Sequence, residues 1–211
     1  MRTGLCVFVL ALSLSPAASG QSWEFGGVGG GSFFTSKTVT NGSRTATAGF
    51  KPGYSGGAIL GQTKGRIGGE IRYLYARNEM KIASGGAEHT FGGHTHTIHY
   101  DFLLYANDKE SSVRPYVAFG GGIRAYQGTG TEVVAQPLGT FALLTKTTDA
   151  RPVISLGAGV KWAPSARVSM RVEFRDYLTP FPKGVIAPNV NSQVGGWIHD
   201  FVPMVGVLFG L

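Results

Sequence analysis

The sequence predicts an all-β fold: an eight-stranded, antiparallel, up-and-down transmembrane β-barrel. Three observations predict it. Eight segments of roughly ten residues alternate between apolar and polar positions, the period-two signature of strands with one apolar face. The connections between them run long, short, long, short, long, short, long. Transmembrane barrels keep that rhythm, with short turns at one rim and long loops at the other. The charged residues fall on the face opposite the larger apolar side chains, on strand after strand.

The chain opens with an export segment. Arg2 supplies a positive start, Leu5 to Leu14 an apolar core, and Pro16-Ala17-Ala18-Ser19-Gly20 the small residues for cleavage after Gly20. Residues 1–20 therefore read as a secretory signal peptide, since the apolar run is too short to span a bilayer. Cys6, the only cysteine, lies in that segment, so residues 21–211 form a cysteine-free barrel domain with no disulfide or thiolate site.

The first candidate strand, residues 23–34, is WEFGGVGGGSFF, whose glycines suit tight curvature or close strand packing. Residues 35–53 are polar and read as a loop. A second strand spans 54–62, and Thr63-Lys64-Gly65-Arg66 is a tight turn. The third, 67–78, puts Ile67, Ile71, Tyr73 and Tyr75 on one face and Glu70, Arg72 and Leu74 on the other. Residues 79–93 read as a longer polar loop.

Residues 98–126 hold the clearest hairpin. Ile98, Tyr100, Phe102, Leu104, Val117, Phe119 and Ile123 share the apolar face, while Asp101 and Arg124 lie on the other, and the turn 107–112 belongs at the periplasmic rim. Within the long connection 127–150, residues 133–144 are fairly apolar and are expected to extend the hairpin beyond the rim. The sixth strand, 151–162, alternates Ile154, Leu156, Ala158, Val160 and Trp162 with Ser155, Gly157, Gly159 and Lys161. Ala163 to Ala166 form a turn. The seventh strand, 167–178, sets Val168, Met170, Val172 and Phe174 against Arg167, Ser169, Arg171, Glu173 and Arg175. A long loop, 179–196, leads to the eighth strand, 197–211.

The two faces can be assigned. Glu70, Arg72, Asp101, Arg124, Lys161, Arg171, Glu173 and Arg175 share the non-apolar face and are expected to form a polar network in the lumen, which in an eight-stranded barrel is just wide enough for side chains to fill. A Lys or Arg on the lipid face near the midplane would cost about 2–4 kcal/mol. Asp176 has lipid-face parity and is expected at or beyond the outer headgroup rim. Trp23 and Trp162 at the periplasmic side, and Tyr75 and Trp197 at the outer side, read as interfacial aromatics.

Three stretches carry a family resemblance: VRPYVAFGGGIRAY from Val113, VISLGAGVKW from Val153, and RVSMRVEFRDYL from Arg167. With Arg114-Pro115-Tyr116 after a turn and Arg171 to Tyr177 in a later basic strand, the chain resembles the transmembrane barrel domain of the OmpA-like outer-membrane proteins. The resemblance implies a small Gram-negative outer-membrane barrel with a C-terminal signal for the barrel-assembly machinery. Val205, Val207 and Phe209 fit that signal's alternation, while Leu211 replaces the usual terminal aromatic and Pro203 departs from the pattern. The chain ends with the eighth strand, so no cell-wall-binding domain is expected.

Composition narrows the function. The formal charge of +7 falls to +6 once Arg2 is removed, and an exported basic chain meets anionic lipid or surface polysaccharide in place of nucleic acid. His94 and His96 share a face but His99 points away, so the histidines lack a third zinc ligand on that face. His199 and Asp200 are adjacent and diverge. No nucleophile-base constellation is legible, and the glycine runs lead into no helix. The expectation is a non-catalytic, monomeric outer-membrane barrel with no cofactor and a structural or surface-interaction role. Its expected partners are outer-membrane lipid, lipopolysaccharide and the barrel-assembly machinery, with no nucleic acid. A narrow porin-like channel and a lipid A-modifying enzyme are the alternatives.

Overall fold

A computed structural model describes residues 21–211; the signal peptide assigned to residues 1–20 lies outside them. The described residues contain no helix. Fifteen strands follow one another: β1 (Gln21–Phe34), β2 (Lys37–Asn41), β3 (Arg44–Phe50), β4 (Gly53–Lys64), β5 (Ile67–Arg77), β6 (Met80–Ser84), β7 (Ala87–Phe91), β8 (Gly93–Tyr105), β9 (Val113–Gly128), β10 (Ala142–Leu144), β11 (Thr148–Trp162), β12 (Val168–Pro180), β13 (Ile186–Pro188), β14 (Ser192–Gln193) and β15 (Trp197–Gly210). Eight of them close an antiparallel barrel in the order β1-β15-β12-β11-β9-β8-β5-β4.

Register fixes the shape of the barrel. From Phe33 the pairs run through Phe201, Asp176, Leu156, Phe119, Phe102, Gly69 and Gln62, and return to β1 at Trp23, ten residues away. A stagger of ten over eight strands tilts them by roughly 40°, within the range that small barrels adopt. The β1–β15 ladder skips from Gly30↔Met204 to Phe33↔Phe201. Pro203 lies in that gap and has no N–H to give.

Alternation sorts the barrel residues into two shells. Ile71, Ile98, Phe102, Val117, Phe119, Val172, Phe174 and Val205 point outward and are exposed. In water such a surface would aggregate; in a bilayer it is the solvated face. The inward positions are buried and include both charged and apolar side chains. Gly157 faces inward where a Cβ would collide with the Arg175 side chain, so its missing side chain makes room for a guanidinium.

The two rims differ. The short turns β4–β5, β8–β9 and β11–β12 lie at one end. At the other, the connections expected to be long loops fold into sheets. β14-β2-β3-β6-β7 form one sheet, and β10 pairs with β13. Their buried side chains, among them Val39, Ala48, Ile82, Phe141, Leu144 and Ile186, pack with Tyr126, Phe181 and Ile198 from the barrel's outer strand ends. The connections 35–53 and 79–93 read as polar loops because their strands are short and threonine and lysine alternate with the buried positions. Residues 133–144 do not extend the hairpin as expected. Only β10 is a strand, its partner comes from the next loop, and Val133 and Val134 stay exposed. β9 and β11 extend the hairpin themselves, reaching the Gln127–Thr148 pair.

Tight turns close the cap hairpins. Gly85 and Gly86 both adopt positive φ (58° and 83°) between the paired Ser84 and Ala87, a two-residue turn whose twist matches the strands. At the cap's edge Lys51 bonds Glu88 at 3.0 Å, and that hydrogen bond holds its ammonium above the ordinary lysine value. Phe141→Ala should cost the cap about 3–5 kcal/mol. Protease added to intact cells should then cut the variant in its outer loops, while the barrel keeps its heat-modifiable gel migration. Cleavage no faster than in the parent would show that the cap does not depend on this core.

Candidate functional site

The barrel centre is occupied by an ionic cluster built from β5, β8 and β12. Strand parity turns Glu70, Arg72, Asp101, Arg171, Glu173 and Arg175 to the interior, and all are buried. Arg72 donates to Glu70 at 2.6 Å and to both Glu173 oxygens at 2.6 and 3.1 Å. Arg171 reaches Glu70 at 2.8 Å. Arg175 bridges Asp101 at 2.8 Å, Glu70 at 2.9 Å and Glu173 at 3.2 Å. Tyr116 of β9 adds a hydroxyl to Glu173 at 2.7 Å. Three arginines thus share three carboxylates, each carboxylate touching at least one guanidinium. The bonds are charge-assisted and made where the surroundings screen them little.

Two smaller pairs flank the cluster. Toward the cap, Arg124 donates to Asp200 at 2.8 Å and to Thr97 at 2.8 Å, and Ser32 donates to Asp200 at 2.7 Å. Toward the short-turn rim, Lys161 is hydrogen-bonded to Glu24. Apolar side chains, among them Val28, Ile59, Val202, Met204 and Leu208, pack on the β1, β4 and β15 side of the interior. Among the described residues, five buried carboxylates face six buried Lys and Arg side chains in the interior. The interior is therefore nearly neutral, although the chain as a whole is basic.

Comparison with known proteins assigns the architecture. The family model described as "Outer membrane protein beta-barrel domain" matches residues 4–195. The chain belongs to this outer-membrane β-barrel family. Among solved structures it is similar in fold to neisserial surface protein A, with TM-score 0.51 and 12% identity over 90% of this chain and 97% of that one. It is likewise similar to the outer membrane protein OprG from Pseudomonas aeruginosa, with TM-score 0.54 and 12% identity over 90% and 97%. No curated protein matches it by sequence.

For this outer-membrane barrel the outward side chains acquire meaning from depth. Trp23 and Trp162 lie at the short-turn ends of β1 and β11, and Tyr75 and Trp197 on the cap-side parts of β5 and β15. Trp162 and Trp197 are about half exposed. Tyr75 packs at a tilt against His94 and edge-on against His96, with ring centroids 5.5 and 5.4 Å away. His96 bonds the Tyr73 hydroxyl at 2.7 Å and His94 bonds Gln127 at 2.8 Å, which ties both rings to aromatic and polar neighbours. His99 faces the interior, 3.2 Å from Asp101.

Asp176 is not bare at the rim. It accepts from His199 Nδ1 at 2.9 Å across the β12–β15 pair, four residues short of the end of β12 at Pro180. His199 thus pairs with Asp176, while its sequence neighbour Asp200 turns inward to Arg124.

The alternation placed His99 on the same face as Asp101, but it did not disclose Glu24, Arg114 or Asp200 as interior polar groups. Asp200 lies on a row with Ile198, Val202 and Met204, all buried, so polarity could not mark its face. Glu24 lies between Trp23 and Phe25, and their outward parity was the available signal. Glu173→Gln removes the charge shared by Arg72 and Arg175 while keeping its shape. It should lower unfolding stability in detergent by about 3–5 kcal/mol, because it leaves buried cations short of a counter-charge. A double-mutant cycle with Arg72→Met should show strong non-additivity. Additive losses would mean that the two side chains are not coupled.

Proposed function

We propose that this chain is an integral, non-catalytic barrel of the Gram-negative outer membrane, exported by its N-terminal signal, that presents a folded cap at the cell surface. The observation that carries the proposal is the pairing of a packed, ion-paired interior with a cap that has its own apolar core. A passage for solutes needs a wide, wet lumen, and here arginine and carboxylate side chains occupy it. The cap sheet turns its apolar row inward and leaves Thr38, Thr40, Thr45 and Thr47 on its exposed side, a surface suited to polar contact with other envelope or surface molecules.

The same reading gives the partners. Lipid packs on the outward apolar wall, and lipopolysaccharide surrounds the outer rim with its aromatic and histidine side chains. The barrel-assembly machinery acts on the chain during insertion, and the folded protein is a monomer. Planar bilayers test the proposal. Heat-modifiable, correctly folded protein should give no reproducible conductance steps, and lipid A should keep its acyl pattern when the gene is removed. Steady ohmic conductance from the folded form would replace the structural role with a channel, and an altered acyl pattern would replace it with an enzyme.

A further inference from the structure

The interior is not filled down to the periplasmic rim. A cleft of about 390 Å³ lies below the ionic cluster, between the β8–β9 and β11–β12 turns. Four cations line it, Lys109, Arg114, Lys161 and Arg167, against one carboxylate, Glu24. Glu24 is already engaged, since Lys161 is hydrogen-bonded to it. The lining therefore carries a clear surplus of positive charge, in contrast to the balanced cluster above it.

Arg114 is the key to this surplus. It is 4% exposed, yet no carboxylate pairs with it among the described residues. Its Nε and Nη2 donate to the carbonyls of Asn107 and Gly65 at 3.4 and 2.6 Å. Its guanidinium lies 3.9 Å from the centre of the Tyr105 ring. These contacts hold the group in one place but leave its charge unmatched, and buried charges are ordinarily paired. One layer deeper, Nε of Arg171 has no hydrogen-bond partner among the described residues, and its Nη2 lies 3.7 Å from Glu24. The hydroxyls of Ser111, Ser165 and Ser169 share the lining.

A guanidinium held through Nε and Nη2, with Nη1 left to donate, beside ammonium and hydroxyl groups suits a tetrahedral oxyanion. We propose that the periplasmic mouth of the barrel is a binding site for a phosphoryl group. Two sources share that chemistry: the headgroup of a phospholipid in the periplasmic leaflet, and a small phosphorylated solute of the periplasm. Trp23 both lines the cleft and belongs to the outward-facing row of β1, so a bound headgroup could keep its acyl chains on the barrel wall. The site is a dead end, closed from above by the ionic cluster.

The test uses the protein folded in an uncharged maltoside detergent, titrated in a calorimeter with glycerol 3-phosphate and, separately, with dihexanoyl phosphatidylglycerol. Saturable binding of at least one probe is expected, weakening as salt is raised. Lys109 and Arg167 are exposed in turns, so the double variant Lys109→Glu/Arg167→Glu should fold, as heat-modifiable migration will report, and bind roughly tenfold more weakly. Arg114→Gln should bind more weakly still; if it fails to fold, the double variant carries the test. Similar affinities for the two probes assign a soluble phosphorylated ligand, and binding of the lipid alone assigns the leaflet. No saturable binding of either probe, or binding that the double variant leaves unchanged, overturns the proposal.

Discussion

The sharing of Glu70, Glu173 and Asp101 among Arg72, Arg171 and Arg175 is the interaction on which the barrel interior depends. These charges could not be placed in a narrow lumen singly, because each would then lose its water without a partner. Placed together, they constrain one another. Arg72 on β5 reaches Glu173 on β12, and Arg175 on β12 reaches Asp101 on β8, so the bonds cross the lumen between strands that are not neighbours in the sheet. A slip of β12 by one residue would turn its charges to lipid, leaving Arg72 without Glu173 and Asp101 without Arg175. The cluster thus specifies register as much as it stabilises, and an inward glycine such as Gly157 is part of the same arrangement.

Much of the barrel was legible because the bilayer imposes a strict rule on it. Every outward side chain in the wall must suit lipid, so the stretch of β12 from Val168 to Arg175 alternates without interruption and its charges mark the interior. The rule weakens wherever the wall ends. β15 carries Asp200 on an otherwise apolar inward row, and polarity there could not assign a face. Beyond the rim the cap strands are five to seven residues long in β2, β3 and β6 and shorter in β10, β13 and β14. Val39 or Ile82 among threonines and lysines gives too few alternations to tell a strand from a loop. Their pairing is set by tertiary contact among four separate connections, which local sequence does not record.

The interior also explains how a basic chain can hold a balanced core. Its charge surplus is not spread evenly: the centre is matched, while unmatched cations collect at the periplasmic mouth around Arg114 and in the exposed turns. Arg114 was legible only as part of an Arg-Pro-Tyr sequence beginning a strand. Its burial depends on the β8–β9 turn folding back so that Asn107 and Gly65 present their carbonyls to it.

The shared core of the cap has a consequence for how the exposed part of this protein can diverge over generations. Independent surface loops accept insertions and substitutions one at a time. Here β2 and β3, β6, β10 and β13 come from four connections yet bury side chains against one another, so a change in one is felt by the rest. Drift should concentrate where the chain leaves that common packing: the threonine-bearing side of the sheet, the glycine turn at Gly85–Gly86, and the segment carrying Val133 and Val134. A lineage under pressure to alter its outer appearance would have such exposed positions to vary, and few in the shared core.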